Sequence, residues 1–115
     1  MEATINLKYG SYPVKVQFAK YTDNGRTALA FIEGEDGSHF TGSVNIEHAP
    51  VQNNDYLVVK DYAENEGMAD ELKRLGLIED QPVDYAPSGF ISAPIYKLTD
   101  KAIQIRDEHF AELGV

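Results

Sequence analysis

Four carboxylates, Glu64, Glu66, Asp70 and Glu71, fall within eight consecutive positions, a grouping that could do acid–base work or hold a cation. Catalysis by paired carboxylates needs two groups at a fixed separation, at least one with a pKa perturbed by burial. Calcium needs alternating oxygen ligands around a glycine turn, and the spacing from Asp61 to Gly67 is not that of the known loop. A solvated helix start explains these acids more simply, because the macrodipole favours negative charge there. His39, His48 and His109 are the only histidines, and no cysteine is present. His39 and His48 lie an odd nine residues apart, on opposite faces of a regular strand, so they do not converge as zinc ligands must. Ser88 lacks the Gly-x-Ser-x-Gly setting and the partner histidine and acid of a nucleophile. The expectation is a non-enzyme with no catalytic residues, no metal and no cofactor.

Two kinds of element must position these side chains. In residues 1–60, Val14, Val16 and Phe18 alternate with Lys15, Gln17 and Ala19, the period of a half-buried strand. Asp23-Asn24-Gly25 supplies a hairpin turn, Thr27 to Ile32 a more buried strand, and Asp36-Gly37 a second turn. Phe40, Gly42, Val44 and Ile46 share one face of the next segment; Ala49 to Asn54 is a loop and Tyr56 to Val59 a further β-rich run. Short spacings favour an antiparallel meander.

Residues 61–98 read as helix, loop and closing strand. Asn65 caps a helix starting at Glu66; Met68, Leu72 and Leu75 form its apolar stripe, and Gly76 ends it. Gln81 to Gly89 reads as a loop, with Phe90 as a core anchor beyond it. Phe90 to Leu98 is then a strand in which Pro94 argues for a sheet edge or bulge. Thr99 caps a C-terminal helix over 99–115, with Ile103, Phe110 and Leu113 roughly along one side. Ile105 fits that stripe poorly, which leaves open a strand over Ala102 to Ile105. The expected fold is a single α+β domain: an antiparallel sheet of about five to six strands, one packed helix and a C-terminal helix. The Met68, Leu72 and Leu75 stripe is expected to cover Val14, Val16, Phe18, Val44 and Ile46.

Charge is the strongest functional signal. Residues 1–60 carry seven acids and five bases, whereas residues 61–115 carry twelve and five, within a net charge of −9 for the 115-residue chain. A surface this acidic argues against direct contact with nucleic acid or an anionic membrane, both of which need a basic footprint. No apolar run approaches the ~20 residues of a membrane span, and the N-terminus lacks a signal-peptide pattern, so a cytoplasmic protein is expected. Seven tyrosines without a tryptophan suit an interface. The expected contact surface is Tyr62 and Tyr85 with Glu64, Glu66, Asp80 and Asp84 around them, facing a protein partner with a basic surface.

Thr41-Gly42-Ser43-Val44-Asn45-Ile46, Leu72 to Glu79, Ser88-Gly89-Phe90 and Pro94-Ile95-Tyr96 together resemble a small domain-of-unknown-function family. That family is carried by bacterial phages, plasmids and conjugative elements. The resemblance covers residues 14–98 and departs from the family pattern at Val58 to Asn65. It implies an accessory protein that inhibits a host defence or nucleic-acid-handling protein by occlusion, of the anti-CRISPR or anti-restriction type. The alternative is a binder that sequesters a small ligand or nucleotide, with Gln81 to Gly89 and Asn53-Asn54 lining its pocket.

Overall fold

The computed structural model describes residues 1–34 and 37–114. Its fold is α+β with antiparallel pairing throughout, but the strands form two sheets rather than one. Strands β1 (Glu2–Leu7), β2 (Gly10–Lys20), β3 (Thr27–Glu33) and β4 (Ser38–Thr41) make a four-stranded sheet in sequence order. Strands β5 (Tyr56–Val58), β6 (Asp84–Ser88) and β7 (Ile91–Lys97) make a three-stranded sheet in the order β5-β7-β6. Helix α1 (Met68–Arg74) packs beside β1, and helix α2 (Asp100–Leu113) packs along β2. No helix among the described residues is long and apolar enough to cross a membrane.

The expected turn at Asp23-Asn24-Gly25 forms, with Lys20 opposite Thr27 and the Asn24 side chain accepting from the Arg26 N–H. The expected turn at Asp36-Gly37 includes Asp36, which lies outside the described residues. The expected strand through Ile46 is cut short at Thr41 for a steric reason. A Cβ on Gly42 would stand 2.7 Å from the Phe31 ring, so only glycine lets the chain pass this close to the core. Ser43 then replaces a ladder bond: its hydroxyl accepts from the Leu29 N–H at 2.9 Å and pairs with the Tyr21 hydroxyl at 2.7 Å. From there the chain crosses to the second sheet, which is why β5 leaves the expected meander. Burial and this hydrogen bond act oppositely on Tyr21; burial dominates and holds its phenol above the ordinary value.

One core fills the space between the inner face of the four-stranded sheet, both helices and one face of the second sheet. Ile5, Val14, Val16, Phe18, Leu29 and Phe31 meet Met68, Leu72, Leu77, Tyr96 and Leu98 there. Val44 and Ile46 do not join them, contrary to expectation. They belong to a smaller cluster on the other face of the second sheet, with Val58, Ala86, Ala93 and Ile95.

Helix α1 starts two residues later than expected. Asn65 is no cap; it lies buried in a single turn of 3-10 helix, and its side-chain amide donates to the Thr41 carbonyl at 2.7 Å. Gly67 stands at the N-cap, and its N–H is taken by the Asp61 carboxylate at 2.8 Å. At the other end Gly76 does close the helix: Leu77 N–H reaches the Leu72 carbonyl and Gly76 N–H the Lys73 carbonyl, a Schellman motif.

Helix α1 also seals an edge. The Glu71 carboxylate accepts from the Asn6 N–H at 2.7 Å and from Arg74, which in turn donates to the Thr4 carbonyl at 2.6 Å. The hydrogen bond from Arg74, helped by the Asn6 N–H, holds the Glu71 carboxyl below its usual range. A carboxyl lowered in this way contributes stability above its unfolded pKa, about 4.3, and loses it as pH falls through the lower folded value. Glu71→Gln is therefore expected to cost about 1–2 kcal/mol at pH 7 and much less at pH 3, measured by urea unfolding at both.

Asp100–Leu113 is one continuous helix, so the strand left open at Ala102 to Ile105 does not form. Thr99 caps it as expected, accepting from the Ala102 N–H. The expected Ile103, Phe110 and Leu113 side is only half right, because Leu113 is exposed and the buried positions are Ala102 and Arg106. Arg106 donates to the Asn54 carbonyl and pairs with Asp55 at 3.0 Å. Ala102 thus brings α2 into the main core.

Candidate protein-interaction site

The expected loop over Gln81 to Gly89 holds at residues 81–83, but Asp84–Ser88 is instead one strand of a hairpin. Strand β6 pairs with β7 in the register Asp84↔Ile95 to Ser88↔Ile91, with Gly89-Phe90 as a two-residue tip. Glycine with φ of 61° at the first tip position is what the tight primed turn of a hairpin requires. Strand β7 is central, so of the edge or bulge expected from Pro94 the edge does not hold. The Pro94 carbonyl still accepts from the Val59 N–H at 2.9 Å, but no return bond is possible, and the β5–β7 ladder ends there.

Alternation along this hairpin separates two faces. Ala86, Ala93 and Ile95 turn toward the smaller core cluster. Tyr85 and Pro94, opposite each other in register, lie on the other face with Tyr96. That face is core at Tyr96 and Leu98 but continues outward uncovered. Val83 and Tyr85 are 51% and 52% exposed, and Phe90 at the tip is completely exposed at 111%. Phe90 anchors no core. Large apolar side chains concentrated on one hairpin mark an interaction surface more readily than isolated ones do.

The outer edge of β6 is blunted against strand addition. Its Tyr85 N–H is taken by the Asp84 carboxylate at 2.8 Å, Pro87 has no N–H, and the Pro87 carbonyl accepts from His48 Nε2 at 2.8 Å. Proline and local side-chain bonds of this kind are what keep an edge from pairing with another chain. The hairpin therefore offers its surroundings side chains more than backbone groups.

The residues expected at an interface fall into two groups. Asp80, Asp84 and Tyr85 are exposed at or beside β6. Tyr62 is half-buried against the smaller cluster, with the Lys60 ammonium 5.9 Å from its ring. Glu64 pairs with Lys60 at 2.8 Å and Glu66 with Lys8 at 3.2 Å, so both are exposed but already matched. The hydrogen bond from Lys60 lowers the Glu64 pKa. No hydrogen bond, ion pair or ring contact among the described residues joins the two groups. Val83 and Phe90 were missed by the sequence reading; recognising Gly89-Phe90 as a hairpin tip would have exposed Phe90.

No group of histidine, aspartate and glutamate among the described residues is arranged to hold a metal ion. His39 is exposed on β4, His48 serves the β6 edge, and His109 contacts Gln17 at 3.2 Å. No protein-family model matches the chain, and no curated protein or solved structure matches it.

Proposed function

We propose that this chain is a non-enzymatic, acidic binding module that covers a basic surface of a protein partner through the β6–β7 hairpin. The observation that carries this reading is the exposure of Val83, Tyr85 and Phe90 on one hairpin whose strand also carries exposed Asp84, with exposed Asp80 preceding it, in a chain of net charge −9. Aromatic side chains supply most of the energy of a contact, and surrounding charge sets its rate and its choice of partner. An acidic surface presents a nucleic-acid-binding cleft with the charge of its substrate and nothing to cleave. The resemblance to a mobile-element family supports a host nuclease or another nucleic-acid-handling defence protein as the target, inhibited by occlusion. Two copies of the chain repel one another by the same charge, which favours a basic partner over self-association.

The test is inhibition of DNA cleavage across a panel of purified restriction and CRISPR effector nucleases. Replacing Val83, Tyr85 and Phe90 together by serine is expected to weaken inhibition at least ~100-fold with melting unchanged, because these side chains touch little of the core. Asp80→Lys with Asp84→Lys is expected to slow association about tenfold, an effect that rising salt erases in the parent. The separate pair Glu64→Lys and Glu66→Lys is expected to do less. Full inhibition by the triple variant, or none of the panel inhibited by the parent, would overturn the reading.

A further inference from the structure

The inner face of the four-stranded sheet is longer than the layer that covers it. Beyond the core it continues through Leu7, Tyr12, Phe40 and Glu33, which with Lys60 and Glu64 line a cavity of about 210 Å³. That is below the ~300–1,000 Å³ of clefts that take drug-sized ligands, and two carboxylates line it, so a nucleotide is a poor occupant. Tyr12 and Phe40 form its aromatic wall, with ring centroids 5.5 Å apart in an edge-to-face arrangement.

Glu33 is the informative group. It stands opposite Val14 in one register and Ser38 in the other, which puts its carboxylate on the sheet face that elsewhere carries Val16, Phe18, Leu29 and Phe31. It makes no ion pair among the described residues. Glu64, the second carboxylate, already holds the Lys60 ammonium at 2.8 Å. The lining therefore carries two carboxylates against one ammonium, which leaves the Glu33 charge without an ion-pair partner among the described residues.

We propose that this cavity binds a guanidinium cation. A flat guanidinium stacks on aromatic rings and can give two parallel N–H bonds to one carboxylate, matching a cleft whose lining includes both Tyr12 and Phe40 and the Glu33 carboxylate. An anion would meet Glu33, and a neutral ligand would leave that carboxylate uncompensated. Nothing at this site involves the β6–β7 hairpin.

The test is NMR titration of the labelled full chain with methylguanidinium, N-acetylarginine amide and N-acetylcitrulline amide, the last its uncharged analogue. Saturable shifts at Tyr12, Phe40 and Thr41 are expected with the two cations, at roughly millimolar dissociation constants, and none with the citrulline compound. Binding by methylguanidinium alone points to a free small cation; binding only by the arginine compound points to an arginine side chain of a partner. Glu33→Gln is expected to weaken the interaction about tenfold or more while distant resonances stay in place. Equal binding of the citrulline compound, no saturable shift at these residues, or an unchanged affinity in Glu33→Gln would overturn the proposal. The citrulline comparison needs no variant. The hairpin triple variant is expected to bind the cation like the parent, so failure of one reading is distinguishable from failure of the other.

Discussion

Leu72→Ala is expected to destabilise the chain by about 2–5 kcal/mol, measured as a fall in the urea midpoint with little change in slope. Leu72 is fully buried in the middle of α1, between Met68 and Leu77 and beneath the inner face of the four-stranded sheet. Truncation removes the transfer energy of the side chain and leaves a cavity that the surrounding strands cannot close, because a pleated sheet does not collapse around one missing side chain. Domains of this size are stable by only about 5–15 kcal/mol, so the variant would unfold roughly 10–30 °C lower. A loss under about 0.5 kcal/mol would instead place α1 outside the core.

Arg106→Ala is expected to cost about 3 kcal/mol by the same measurement. The Arg106 side chain is only 10% exposed, and its guanidinium joins α2 to the carbonyl of Asn54 and the carboxylate of Asp55. Removing it strips a half-buried carbonyl of one of two donors, the other being the Thr27 hydroxyl at 2.7 Å. The loss falls short of that for a fully buried ion pair because Asp55 is 42% exposed and water can replace its partner. Arg106→Lys is expected to recover only part of the loss, since one ammonium cannot reproduce a planar fork of donors.

Alternation exposed β2 in the sequence because one of its faces is core and the other is not, the stripe of α1 was legible for the same reason, and β3 was legible as an apolar run because it is buried on both faces in its first half. Strand β1 was missed: Ala3, Ile5 and Leu7 carry the right period, but the signal is short and no turn residues bracket it before Lys8. The shift of Phe40 to Ile46 from one sheet to another was hidden because it rests on the approach of Gly42 to Phe31 and on a serine hydroxyl standing in for a backbone group. Both are contacts across the fold, and neither leaves a periodic trace. Prolines misled in both directions. Pro87 suggested a loop where an edge strand lies, and Pro94 suggested an edge where the central strand runs past the end of its neighbour. Of the residues expected at an interface, Asp80, Asp84 and Tyr85 are exposed as the sequence suggested, whereas Tyr62 packs against the smaller cluster while Tyr85 lies on the other face of the hairpin, a separation set by the fold and not by the sequence pattern.

The way β6 is finished bears on how this surface can evolve. Asp84, Pro87 and His48 occupy its edge groups, and Ala86 and Ala93 carry the packing of the hairpin onto the body. The outer residues, Val83, Tyr85 and Phe90, are thereby left with almost no duty in folding. Selection can change them freely without eroding the fold, and the blunted edge keeps such changes from drifting into polymerisation. A lineage pursuing a target that escapes by mutation would find its adaptable positions on this hairpin, while sequence drift elsewhere is held in check by Gly42, Ser43 and Arg106.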